Sequence, residues 1–92
     1  MGLAEKGNGE PLQFPLSYPL KVIGKNTNEF YAVVSSIIGN SLDQAEEVTY
    51  HTRTSSGGKY LSVTATFLAQ SKEQLDTIYQ ELNRHELVLM TL

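Results

Sequence analysis

Apolar and polar positions along this chain change period several times, and each change marks an element. From Tyr18 to Lys25, Leu20 and Val22 alternate with Lys21 and Ile23, and Gly24 stands at the exit, which predicts a first strand. Phe30, Val33, Val34, Ile37 and Ile38 then fall at i, i+3, i+4, i+7 and i+8, the stripe of an amphipathic helix. Asn26 or Thr27 can cap that helix, Glu29 lies in its first turn, and Gly39-Asn40 reads as a left-handed stop. Beyond the polar link Ser41–Ala45, Glu46 to Thr54 alternates again. Val48, Tyr50 and Thr52 share one face, and Glu47, Thr49, His51 and Arg53 share the other. Ser55-Ser56-Gly57-Gly58 is a turn signal, and Lys59 to Ala69 is the longest predicted strand. Leu61, Val63, Ala65, Phe67 and Ala69 line one side of it; Tyr60, Ser62, Thr64 and Thr66 line the other. Ser71-Lys72-Glu73-Gln74 has the form of a capping box before a second helical stripe of Leu75, Ile78, Tyr79 and Leu82. Asn83 to Glu86 turns the chain into a final strand, Leu87 to Leu92.

The resulting order, β-α-β-β-α-β, is that of the split βαβ, or ferredoxin-like, α+β sandwich. Two helices with one stripe each cover one face of a four-stranded antiparallel sheet and leave the other open. The two periods together predict a core of Val33, Ile37, Leu61, Val63, Phe67, Ile78 and Leu82. Residues 1–10 read as a mobile tail and 11–92 as a single domain. Pro11, Pro15 and Pro19 make the stretch between them extended but a poor central strand. The last strand is an edge with apolar residues on both faces, so a cover is expected. The candidates are the Leu12–Leu16 segment or a second copy in a homodimer.

Composition narrows the function classes. At 92 residues the chain is one small domain, and its formal charge of −3 disfavours nonspecific binding to nucleic acid or anionic membrane. There is no cysteine, which excludes disulfides and thiolate chemistry. No run approaches the roughly 18 apolar residues of a membrane span, and the first ten residues lack the hydrophobic core of a signal peptide. The expectation is a cytoplasmic protein without metal or cofactor.

Convergent polar groups are scarce. His51 is an exposed strand residue, His85 sits in the turn after the second helix, and the two lack metal-ligand spacing. Glu46 and Glu47 are adjacent on a strand and point to opposite faces, so they form no acid–base pair. No Gly-x-Ser-x-Gly elbow exists. The sequence points away from catalysis. One stretch is chemically suggestive: Ser55 to Tyr60 could form an anion nest from the Gly57 and Gly58 amides, flanked by Arg53, Lys59 and two hydroxyls. The same element order also occurs in RNA-recognition motifs, but Ser62 and Ala65 stand where stacking aromatics are needed and only Tyr60 fits.

Phe14-Pro15, Lys21-Val22-Ile23-Gly24, Ser55 through Val63, Glu73-Gln74, Ile78 through Leu82 and Val88-Leu89-Met90 run in an order that resembles the YbeD-like family. These are small bacterial cytoplasmic proteins of unresolved function, often labelled lipoate-regulatory. The resemblance spans Pro11 to Leu92 and implies a fold similar to ACT regulatory domains, with no catalytic residues to transfer. Family members often carry a lysine after the Ser-Ser pair, where this chain has Gly57. ACT effectors bind near the glycine turn after the first strand, which by analogy points to Gly24 and Asn26. The expected ligand-binding set is therefore Gly24, Asn26, Arg53, Ser55, Ser56, Gly57, Gly58, Lys59 and Tyr60. The expected function is a non-catalytic regulatory domain for a small effector or a protein partner, linked through the resemblance to lipoate metabolism. The alternatives are an interaction module acting through a sheet edge or the open sheet face, and a weak RNA-binding domain.

Overall fold

The computed structural model describes residues 12–92, so the predicted tail 1–10 lies outside the described residues. In chain order the elements are β1 (Leu16–Lys25), α1 (Asn28–Asn40), β2 (Thr49–Thr54), β3 (Tyr60–Ala69), α2 (Lys72–Arg84) and β4 (Val88–Thr91). The sheet order is β2-β3-β1-β4 and every pairing is antiparallel. This is the predicted ferredoxin-like βαββαβ arrangement. Each helix starts on a hydroxyl cap: Thr27 Oγ1 accepts from Phe30 N at 3.0 Å, and Ser71 Oγ accepts from Gln74 N at 3.0 Å.

The core lies between the helices and one sheet face. Leu20 and Val22 of β1 and Leu61, Val63, Ala65, Phe67 and Ala69 of β3 meet Phe30, Val34 and Ile38 of α1 and Leu75, Ile78 and Leu82 of α2. No polar side chain is buried among the described residues. Burying one large side chain of this kind contributes about 1.5–3 kcal/mol. Two predicted core residues are displaced: Val33 and Ile37 are only half-buried, and Ile37 packs on the core's flank. The buried line of α1 is i, i+4, i+8 from Phe30. The five-residue stripe is wider than the strip the sheet and α2 can cover.

Other local expectations change for identifiable reasons. The helix α1 does not stop in a left-handed residue; it runs through Gly39-Asn40 to a right-handed cap at Ser41. Ser41 N donates to Ile38 O at 3.1 Å and Ser41 Oγ to Ile37 O at 2.9 Å, which satisfies the terminal carbonyls without a left-handed turn. In the second cap Gln74 Oε1 accepts from Gln70 N at 2.8 Å rather than from Ser71 N, so the box closes one residue early. Strand β2 begins at Thr49, not Glu46, and Thr52 is exposed.

Pro19 sits inside β1, a central strand, against expectation. The adjacent register explains it. Lys21 N and O pair with Leu92 O and N, at 3.4 and 2.8 Å, so odd-numbered β1 residues aim their backbone at β4. Pro19 lies two residues past that last rung, where no β4 residue asks for its missing donor. The same register answers the edge question in part. The residues of β4 pair with Val22 to Gly24, whereas Leu16 pairs with Ala69 at the other end of β1. The Leu16 end of β1 thus lies away from the rungs that hold β4.

Candidate functional site

The β1–α1 turn and the β2–β3 loop, far apart in sequence, meet at one end of the sheet. Asn26 joins them: its Nδ2 donates to Gly58 O at 3.1 Å and its backbone N–H to Lys59 O at 3.0 Å. Gly24 has a packing reason to be glycine. A Cβ there would run into the Phe30 ring and stand 2.7 Å from Leu87 O.

The hairpin loop is tied by its own hydrogen bonds. Gly58 takes φ +75°, the one positive φ among the described residues, which glycine alone adopts at no steric cost. Its N–H donates to Ser55 O at 2.8 Å, Ser55 N donates to Tyr60 O at 2.9 Å, and Tyr60 N donates to Ser55 Oγ at 3.0 Å. The two-amide nest expected from the sequence is therefore not formed. The amide of Gly58 is spent in the turn on Ser55 O and cannot also point at an anion held by the Gly57 amide. Lys59 lies 5.5 Å above the Tyr60 ring.

Beside this loop the open face dips into a shallow hollow of about 380 Å³, lined by Arg53, Ser55, Ser56, Tyr60, Ser62 and Ile23 among others. Of the residues singled out from sequence, Arg53, Ser55, Ser56 and Tyr60 converge here. Gly24, Asn26, Gly57, Gly58 and Lys59 do not line it. Arg53, Ser62 and Ile23 occupy one cross-strand row, with Met90 next to Ile23. Sequence reasoning missed Ser62 and Ile23 as site residues; their signal was the alternation itself, which puts them on the open side.

The charge distribution over that face is one-sided. Lys21, Lys25 and Arg53 project from it, Lys59 stands at its rim, and His51 lies two residues from Arg53 on the same side. None of the four cations forms an ion pair among the described residues, whereas Lys72 and Arg84 of α2 pair with Asp76 and Glu81. Among the described residues no strand contains an aspartate or glutamate. The described carboxylates lie on the helices and their connections: Glu29, Asp43, Glu46, Glu47, Glu73, Asp76, Glu81 and Glu86. A formal charge of −3 thus averages an acidic helical side and a basic sheet face.

On the covered side, Tyr79 of α2 shares a 2.9 Å hydrogen bond with the Tyr18 hydroxyl and donates to Leu92 O at 3.1 Å. Burial, followed by the bond to Tyr18, holds the Tyr79 hydroxyl well above the usual tyrosine range. Burial also pushes Tyr50 up, helped by Tyr31. Among the described residues no three His, Asp or Glu side chains gather as a metal ion requires, and no helix is long and apolar enough to cross a membrane.

With the geometry in place, comparison with known proteins gives the chain its relatives. A UPF0250 protein of Neisseria gonorrhoeae is 39% identical over 90 residues, covering 96% of this chain and 97% of that protein. A UPF0250 protein of Nitrosomonas europaea is 37% identical over 81 residues, covering 88% and 93%. The solution structure of protein HP0495 from H. pylori superimposes with a TM-score of 0.74 at 16% identity, covering 100% of this chain and 98% of that one. It shares the fold. Residues 10–92 match the family described as "Protein of unknown function (DUF493)". The hairpin and strand motifs that resemble YbeD-like proteins are thus matched along nearly the whole length, and the chain belongs to the DUF493/UPF0250 family of small bacterial proteins.

Proposed function

We propose that the protein is a non-catalytic regulatory binding domain whose working surface is the open face of its sheet, and that what it binds there is anionic. One observation carries this reading: Lys21, Lys25, Arg53 and Lys59, unpaired among the described residues, share a surface on which no described strand places a carboxylate. Surface charge is usually mixed in sign, and a one-sign field attracts ligands of the opposite sign. The test is titration with inorganic phosphate and citrate at low salt, following backbone amide signals. Saturable shifts at Arg53, Ser62 and Ile23 that fade with added salt support the reading. Shifts confined to the α2 amides defeat it.

A second reading has its own observation. The hollow at Arg53 sets a guanidinium and hydroxyls beside Ile23 and Tyr60, which suits a small effector with a carboxylate on an apolar body. Lipoate, suggested by the label of the resembling family, has that chemistry and belongs in the effector panel. Saturation by such a carboxylate, lost in Arg53→Gln and absent for its amide, would favour this reading.

A further inference from the structure

The large exposed hydrophobic side chains of the described residues gather on the open face and its β4 edge. Tyr60, Leu68, Leu89, Met90 and Leu92 are between 38% and 60% exposed. Register places Met90 beside Ile23 and brings Leu92 against Lys21, on the same surface as those cations. The surface is thus an apolar patch of Ile23, Met90 and Leu92, bordered by Lys21 and Lys25 along β1 and by Arg53 across the sheet. Lys21 and Lys25 stand about 13 Å apart along β1, and Arg53 is about 10 Å across the sheet from Ile23, by ordinary strand spacing.

We propose that this face docks one amphipathic helix of a partner protein whose polar flanks are acidic. The proposal rests on the reading of the open face as an anion-binding surface and names its occupant. Apolar side chains of the helix pack on Ile23, Met90 and Leu92, and its carboxylates meet Lys21, Lys25 and Arg53. A helix of about 10 Å diameter fits a four-stranded face, and carboxylates two turns apart stand about 11 Å from one another, within reach of Lys21 and Lys25. An open sheet face is the side on which a second layer completes a sandwich. Addition of a strand is disfavoured, because β4 is four residues long and its register breaks between Ile23 and Gly24. A single nucleic-acid strand is disfavoured as well: it stacks on a series of aromatic rings, and among the described residues this face offers one phenol, Tyr60, with Lys59 already over it, and the His51 imidazole. Met90 suits an apolar partner, since its flexible thioether adapts to the side chains laid on it.

The test uses the full chain labelled for amide detection and four probes. These are a helical Leu/Glu/Ala peptide with one leucine stripe flanked by glutamates, its Glu→Lys counterpart, a uridine oligonucleotide and inorganic phosphate. The expected result is saturable movement of the Lys21, Ile23, Ser62 and Met90 signals with the glutamate peptide and none with the lysine peptide. Met90→Ser and Lys21→Glu/Arg53→Glu should each weaken it at least tenfold, with Val34 and Leu82 signals unchanged as the check on folding. Arg84→Glu on α2 should leave binding unaltered. If phosphate or the oligonucleotide moves these signals and the glutamate peptide does not, the helix is overturned and the anionic reading stands. If no anionic probe moves them, both fall. Wild-type affinity for the peptide in Met90→Ser would also overturn the proposal, because the apolar half would then contribute nothing.

Discussion

The two faces of this one sheet are built from the same strands and share almost no chemistry. Along β3, Leu61, Val63, Ala65 and Phe67 are buried against the helices, while Tyr60, Ser62, Thr64 and Thr66 alternate with them on the open side. Where the helices cover it, the sheet face is apolar, with no polar side chain buried among the described residues. Its cohesion comes from burial, and every methylene there is felt. The open face keeps β-branched threonines that suit a pleated backbone, yet carries lysines and an arginine with no ion-pair partner among the described residues. Under the proposed reading, stability and recognition are separable in this molecule, because each strand sends alternate residues to opposite faces. Substitutions on the covered face should change folding, and those on the open face should change binding alone.

The sharpest way to break that separation is Phe67→Ala, which removes a buried ring where β3 meets the core. It should cost about 3–5 kcal/mol, enough to unfold much of a domain this small. A urea midpoint close to that of the parent protein would show that cohesion lies elsewhere. Next is Gly24→Ala. The new methyl meets the Phe30 ring and the Leu87 carbonyl, and the carbonyl is backbone that cannot rotate away. Overpacking of this kind costs about 1–3 kcal/mol. Because Gly24 pairs with Val88, the loss should show first as faster amide exchange along β4. Unchanged exchange at Val88 to Thr91 would mean that β4 is held without this close approach.

How far the sequence carried the structure follows from the same contrast. Strand alternation named both faces of β3 correctly, because period 2 leaves no intermediate position. Helix periodicity was less decisive: five apolar residues of α1 share a stripe, and only tertiary contact decides that Phe30, Val34 and Ile38 are central and Val33 and Ile37 flanking. Element order and the Thr27 and Ser71 caps were legible since they depend on neighbours in the chain. The site was legible only in part. Arg53, Ser55, Ser56 and Tyr60 do converge, but the fate of the Gly58 amide depends on a turn bond, and Asn26's link to Gly58 spans 32 positions. Net charge misled about the surface, because it sums over both sides of a molecule whose strands hold none of its described carboxylates.

Tyr79 sharpens the comparison at the boundary of the covered face, where α2 meets β1 and the end of β4. Losing its hydroxyl in Tyr79→Phe removes the bonds to Tyr18 and Leu92 and should cost about 0.5–1.5 kcal/mol. Its raised pKa adds a pH dependence with a definite sign. Above the ordinary tyrosine value of 10.0 the unfolded chain loses this proton while the folded protein keeps it. Unfolding then releases a proton, so stability is full below about pH 10 and falls as pH rises beyond it. Denaturant midpoints between pH 8 and 11 should decline less steeply in Tyr79→Phe. An identical alkaline slope in both proteins would place the titrating group elsewhere.

The smallest effect belongs to the open face and tests the other half of the comparison. Lys21 is exposed, has no ion-pair partner among the described residues, and stands on the same strand as Lys25. Lys21→Gln removes no ion pair among the described residues and relieves repulsion from like charges on the same face. At about 13 Å along the strand that repulsion is weak, because the Debye length is about 10 Å at 0.1 M salt. The stability change should therefore stay within about 0.5 kcal/mol, lean towards stabilisation at low salt and vanish by 1 M. Paired urea titrations of the two proteins at 10 mM and 1 M sodium chloride measure it. A loss above 1 kcal/mol that persists in high salt would mean that Lys21 supports the fold, and the open face could no longer be treated as free for binding.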